Sequence, residues 1–167
     1  PPGVIDLGAG EPQLDLLSLD MIRDAAAHRL GVGDRDFLQY GLEQGDGTFR
    51  AALAKFLSAR CGFSVRHDDL FTTAGISSAL SLLCTLFTKP GDIIYVEEPS
   101  YFLALRIFAD HGLTVVPIRT DASGLVIDDL MDALQKSKPK FLYIIPTFQN
   151  PSGQTLSQER RGQLVEL

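Results

Sequence analysis

Tryptophan is absent from this chain, and methionine and cysteine occur only twice each. Cys61 and Cys84 stand far apart and form no C-x-x-C, so neither a disulfide framework nor a zinc site is indicated. Both are expected to be reduced and structural. Basic residues are in the minority, 15 Lys and Arg against 21 Asp and Glu, for a net charge of −6 and an isoelectric point near 4.9. That sign argues against a generic nucleic-acid surface and against an anionic membrane as partner. No apolar run approaches the roughly 18 residues a membrane span requires. The 15 glycines and 9 prolines are too few and too scattered for a collagen-like or linker-type chain. What remains is ordinary globular usage, 45% apolar and 22% charged over 167 residues, fitting one domain or one piece of a larger one. The chain starts at Pro1 without a charged-then-apolar leader, and Arg160 to Leu167 reads as a helix still in progress. Both ends are expected to be cut, which leaves open a targeting segment upstream.

The hydrophobic pattern alternates between helix and strand. Helices are expected at 20–30, capped by Ser18 or Asp20, and at 48–60, with Phe49, Leu53, Phe56 and Leu57 on one face. Further helices are expected at 77–87, at 100–111 capped by Ser100, at 127–136, and after Ser157. Strands are expected at 70–73, 93–96, 114–118 and 141–145, each a short continuous apolar run. Such strands, separated by helices of about ten residues, suit a mostly parallel sheet covered on both faces. The fold class is therefore α/β, a three-layer αβα sandwich, with the first ~35 residues outside the main sheet.

Two glycine pairs, Gly8-Ala9-Gly10 and Gly45-Asp46-Gly47, begin a G-x-G, but Gln13 and Arg50 stand where the third glycine belongs. Neither is a dinucleotide fingerprint, and no phosphate-loop motif occurs. Gly75-Ile76-Ser77-Ser78-Ala79 lies where an expected strand turns into a helix, and three readings compete there. It resembles a nucleophile elbow with Ala79 replacing the last glycine, which would need an acid and then a histidine downstream. Only Asp110-His111 offers one, inside an expected helix. It also suits a phosphate cup, using the Ile76 and Ser77 amides and the Ser77 hydroxyl. The third reading is a plain helix cap. Glu97-Glu98-Pro99-Ser100-Tyr101 and Pro146-Thr147-Phe148-Gln149-Asn150-Pro151-Ser152-Gly153 each follow a strand, at the carboxyl edge where open α/β sheets bind ligands. Taken singly, the first is a packing aromatic and the second a loop of turn formers.

Taken together, Leu-Gln-Tyr-Gly (38–41), Thr-Ala-Gly-Ile-Ser (73–77), Glu-Glu-Pro-Ser-Tyr (97–101) and Phe-Gln-Asn-Pro-Ser-Gly (148–153) occur in one order. That order and spacing, with Arg160-Arg161 after the last motif, resembles the fold-type I pyridoxal-phosphate aminotransferases of class I/II. The similarity is greatest to the α-aminoadipate and kynurenine aminotransferase-like branch, and it covers the N-terminal portion of such a protein.

The resemblance implies pyridoxal 5'-phosphate as cofactor, an amino acid and a 2-oxoacid as substrates, and a homodimer with shared active sites. It also implies a cytoplasmic location and no nucleic-acid or membrane partner. By the same resemblance residues 1–35 form an N-terminal arm and small-domain segment, and 36–167 the first part of the large cofactor-binding domain. Gly10 would line the substrate carboxylate pocket. Tyr40 would reach the cofactor phosphate of the neighbouring subunit. Ile76, through its amide, and Ser77 would form the phosphate cup. Tyr101 would stack on the pyridine ring, and Asn150 would hydrogen-bond the cofactor's phenolic oxygen and also contribute to substrate binding. The family's Schiff-base lysine, ring-nitrogen aspartate and carboxylate arginine follow the Asn-Pro motif by a long interval, so no catalytic residue and no metal ligand is expected here. Ser137-Lys138-Pro139-Lys140 matches the lysine pattern S-x-x-K, but Lys140 precedes the Asn150 strand and is expected to be a surface residue. The fragment alone is expected to be inactive. Two alternatives of the same fold are a sensor domain of a winged-helix transcription regulator and a lyase or decarboxylase.

Overall fold

The computed structural model describes residues 12–167, which excludes Gly10. The chain divides into two compact units, Pro1–Leu70 and Phe71–Leu167.

In the first unit, helix α1 spans Leu19–Gly31 and helix α2 spans Gly47–Cys61, with short 3-10 turns at Leu14–Leu16, Asp36–Leu38 and His67–Asp69. Neither Ser18 nor Asp20 caps α1 through a side chain; Ser18 occupies the cap position without that bond. Helix α2 begins one residue before the expected start. The Asp46 carboxylate accepts from the Phe49 amide at 2.7 Å, satisfying one of the donors a helix start leaves open. Gly62, at φ +74°, closes it in the left-handed region that L side chains avoid. Its buried positions are Arg50 and Ala54, and the Arg50 guanidinium donates to the Gly45 carbonyl (3.3 Å) and the His67 carbonyl (2.8 Å). The expected apolar face is therefore rotated. Leu53 and Leu57 are half-buried, whereas Phe49 and Phe56 are more than half exposed.

The second unit is the α/β part. Helices α3 (Ile76–Phe87), α4 (Phe102–Asp110), α5 (Ile127–Lys136) and α6 (Gln158–Glu166) alternate with strands β1 (Ile93–Glu98), β2 (Thr114–Asp121), β3 (Gly124–Leu125) and β4 (Leu142–Tyr143). The strand order is β3-β2-β1-β4. Strand β1 pairs parallel with both β2 and β4, and the short β3 folds back antiparallel on β2, so the sheet is mixed.

Alternation along β1 builds the two faces. Ile94 and Val96 join Leu80 and Cys84 of α3 and Ala104 and Phe108 of α4 in one core. Tyr95, between them, joins Ile118, Leu125, Ile127, Leu130 and Leu156 in the other. Successive side chains of a strand point to opposite faces, so a continuous apolar run feeds two layers. The Tyr95 hydroxyl is satisfied at the end of α5 by the Ala133 and Ser137 carbonyls, both at 2.7 Å. This is the three-layer arrangement expected from the pattern.

The strands expected at 93–96 and 114–118 run on to Glu98 and Asp121, and the other two differ more. Residues 70–73 are not a strand; the chain enters them from the 3-10 turn at His67–Asp69, with the Leu70 amide donating to the His67 carbonyl at 3.3 Å. The strand expected at 141–145 shrinks to Leu142–Tyr143. At its C-terminal end the Ile145 amide is taken at 2.8 Å by the carboxylate of Glu97, a side chain from β1, instead of by the neighbouring backbone. Ser100 does not cap α4; Tyr101 stands at that position, without a side-chain cap bond. Ser157 does cap α6, accepting from the Arg160 amide at 3.3 Å.

Candidate functional site

Connectivity gathers three segments at one end of the second unit. Helix α3 enters β1 through the turn at 88–92, so the start of α3 lies at the end of the sheet where β1 finishes. The β1–α4 loop carries Tyr101 at that end, and the loop after β4 carries Asn150. In open parallel sheets the crevice at the carboxyl ends of strands is where ligands bind.

Gly75, at φ +88°, turns the chain into α3, a conformation only glycine adopts without strain. The first helical bond runs from the Ala79 amide to the Gly75 carbonyl, leaving the Ile76, Ser77 and Ser78 amides ahead of it. The Thr73 hydroxyl steadies the turn by donating to the Gly75 carbonyl at 3.0 Å. The Ser78 hydroxyl folds back to Ala74, while Ser77 is exposed. A Cβ placed on Gly75 would meet nothing within 4 Å, so the space before the helix is open. Helix dipole and free amides make this an anion-accepting start. The nucleophile-elbow reading loses its base here. His111 Nε2 lies 3.1 Å from the Ser81 hydroxyl, one turn further into α3 than Ser77.

Tyr101 is half-buried, packs against the α3–α4 core and meets Phe102 edge-on at 5.5 Å. Asn150 is exposed in a loop that contains a cis Asn150-Pro151 bond and Phe148 at φ +50°. Its neighbour Gln149 is the buried member, 4% exposed. The Gln149 side chain donates to the Pro99 carbonyl (2.7 Å) and accepts from the Ser152 amide (2.8 Å).

Two arginines hold the loop from behind. Arg161 donates to the Leu156 carbonyl (2.9 Å), the Thr147 hydroxyl (2.9 Å) and the Pro146 carbonyl. Arg160 grips both Asp121 oxygens at 2.7 Å and donates to the Gly124 and Leu125 carbonyls. Their place in the motif is thus structural.

Burial sets the electrostatics. Glu97 is 3% exposed, and loss of water pushes its carboxyl above the usual carboxylate value, opposed by bonds from the Ile145 amide and the Gln149 side chain. The Tyr143 phenol is likewise pushed up by burial, with the nearby Glu97 and Tyr101 adding to it. Burial also pushes up the Cys84 thiol. Lys140 pairs with Asp92 at 3.8 Å at the entry of the strands, the end opposite Asn150, in keeping with the surface role expected of it.

The burial of Glu97 and Gln149 beside the Tyr101 and Asn150 loops was not among the expectations. The available signal was a carboxylate at the end of a fully apolar strand, which must be satisfied if buried. Tyr40 lies in the first unit, fully exposed. Among the described residues there is no cluster that could hold a metal ion, and no helix long and apolar enough to cross a membrane.

A helix start with free amides, a half-buried aromatic and an exposed amide thus lie at the carboxyl edge of an α/β sheet, where such sheets bind ligands. The model of the family "Aminotransferase class I and II" matches residues 2–167, and the chain belongs to that family. It is 37% identical to aromatic-amino-acid aminotransferase 1 of Thermococcus litoralis, over 98% of this chain and 40% of that protein. Among solved structures it is similar to the α-aminoadipate aminotransferase LysN of Thermus thermophilus, complexed with N-(5'-phosphopyridoxyl)-L-leucine. That likeness has a TM-score of 0.85 and 30% identity, covering 95% of this chain and 39% of the other. An uncharacterised HTH-type transcriptional regulator of Bacillus subtilis is 29% identical over 99% of this chain and 37% of its own length. The chain spans about 40% of the length of the curated relatives it matches.

Proposed function

We propose that the full-length protein is a pyridoxal 5'-phosphate-dependent aminotransferase that moves an amino group between an amino acid and a 2-oxoacid. The observation that supports the reading is that connectivity brings the α3 start and the Tyr101 and Asn150 loops to the same end of the sheet. In this reading the Ile76 and Ser77 amides and the Ser77 hydroxyl hold the phosphate. The Tyr101 ring covers one face of the pyridine, and the Asn150 amide donates to the ring oxygen. When bound, the cofactor supplies an electron sink for the substrate carbanion. The chain's own residues then bind, orient and exclude water around it.

Gly10 is proposed to line the substrate carboxylate pocket, and Tyr40 to complete the phosphate site of a second subunit in a homodimer. Residues 1–35 would form an arm and small-domain segment, and 36–167 the start of the cofactor domain. We assign the proton-relaying lysine to sequence outside this chain, and a cytoplasmic location to the whole. The test is cofactor titration of the full-length protein. Ser77→Ala is expected to weaken binding by roughly 1–3 kcal/mol, one hydrogen bond to a charged group. An unchanged affinity refutes the cup. Mixing Tyr40→Phe subunits with subunits lacking the lysine should restore activity if the site is shared.

A second reading, a cofactor-sensing domain of a transcription regulator, is favoured by the likeness to the Bacillus subtilis protein. It predicts DNA binding that changes with pyridoxal phosphate and no conversion of amino acid to oxoacid. Product analysis also separates transamination from a lyase or decarboxylase, which would release an eliminated or decarboxylated product.

A further inference from the structure

Two loops must keep a fixed separation if Tyr101 is to cover a ring whose edge Asn150 holds, and one side chain ties those loops together. Gln149 immediately precedes Asn150, and it is almost fully buried. Its amide nitrogen donates at 2.7 Å to the carbonyl of Pro99, two residues before Tyr101. Its amide oxygen accepts from the Ser152 amide at 2.8 Å, bracing the far side of the Asn150-Pro151 turn. Its main-chain amide closes the same turn by donating to the Gln154 carbonyl at 2.7 Å. The side chain also hydrogen-bonds Glu97, whose other contact is the Ile145 amide at the root of the loop.

We propose that Gln149 is a positioning residue that sets the distance between the ring-covering Tyr101 and the ring-edge Asn150. This rests on the cofactor site proposed above. Only an uncharged amide can do the job, since it presents two N–H donors and an acceptor in one plane. A glutamate there sets a carboxylate against the Pro99 carbonyl and beside Glu97, acceptor against acceptor. A methionine of similar length offers neither a donor to Pro99 nor an acceptor to Ser152, and leaves both buried groups unpaired. Ser77 and the α3 start share none of these bonds, so the phosphate contacts stay as they are.

The test compares full-length wild type with Gln149→Met and Gln149→Glu, first without cofactor. Hydrogen exchange is followed in peptides covering 97–101 and 146–154. Both regions are expected to exchange at least tenfold faster together in either variant, while the α3 peptide is unchanged. Loosening confined to 146–154, or no loosening, overturns the clasp. Pyridoxal phosphate is then titrated into each protein. The variants should bind it about tenfold more weakly, and the pH midpoint of the bound cofactor's visible absorbance should rise by about one unit, because a donor to the ring oxyanion is displaced. A midpoint equal to wild type overturns the positioning role even if affinity falls. Should wild type itself fail to bind pyridoxal phosphate, the proposed function falls, while the coupled exchange of the two loops still decides the clasp. If Gln149→Met does not fold, Gln149→Glu carries both readouts.

Discussion

Gly124 offers the sharpest test of the packing behind the Asn150 loop. It turns β2 into β3 at φ +93° and is buried under Leu156. A Cβ added there would lie 2.8 Å from Leu156 Cα, 2.9 Å from its Cδ1 and 3.3 Å from its Cβ. The Leu156 backbone has little room to retreat. Its amide donates to the Pro146 carbonyl at 3.0 Å, and its carbonyl accepts from Arg161 at 2.9 Å. Gly124→Ala therefore incurs two costs. Forcing an L side chain to positive φ costs about 1–2 kcal/mol, and overpacking a pinned core about 1–3 kcal/mol more, roughly 2–5 in all. Gly153→Ala supplies the control: φ is +73° and nothing lies within 4 Å of the added Cβ, so only the backbone term applies. With a urea slope of about 2 kcal/mol per molar, Gly124→Ala should lower the unfolding midpoint by roughly 1–2.5 M. Gly153→Ala should lower it by about 0.5–1 M. Equal shifts for the two variants would refute the close approach of Leu156 to the β2–β3 turn.

Other substitutions test single contacts. Asp121 is held down to about 2, first by its hydrogen bonds from Arg160 and then by the Ser123 amide, so its contribution is present above the usual carboxylate value and lost as pH falls from about 4 through about 2. Asp121→Asn should flatten the acid limb of a melting-temperature profile in that window; an unchanged limb would show that Arg160 does not favour the charged form. Glu97 has the opposite sign. Its raised carboxyl favours folding at low pH and loses that contribution as pH rises through its folded value, so Glu97→Gln should gain stability relative to wild type as pH rises above about 4.3. A constant difference across pH 4–8 in denaturant titrations contradicts that. Asp46→Ala should cost about 1 kcal/mol through loss of the α2 cap, with faster amide exchange at Phe49.

Where neighbouring residues in the chain settle an element, its bounds are legible in the sequence. Helix α5 spans Ile127–Lys136 as its amphipathic repeat requires, and Ser157 starts α6 through its own hydroxyl. Strand β1 follows from an unbroken apolar run, since such a run is stable only between two covered faces. The order of the four motifs points to the family for a related reason, as each motif is a local turn or strand end. Only tertiary structure decided the rest. The strand at 141–145 is cut short because a side chain from β1, 48 residues earlier in the chain, takes the Ile145 amide. Residues 70–73 have strand chemistry but are not a strand, since pairing is a property of two segments rather than one. The Asn-Pro motif drew attention to Asn150, yet the buried residue of the pair is Gln149, and its value lies in reaching Pro99 across the sheet edge. Arg160 and Arg161 read as a motif but act as clamps on carbonyls distant in sequence. Propensity, capping and periodicity act over a few residues and so are written locally, whereas burial and long-range hydrogen bonds depend on which segments the fold brings together.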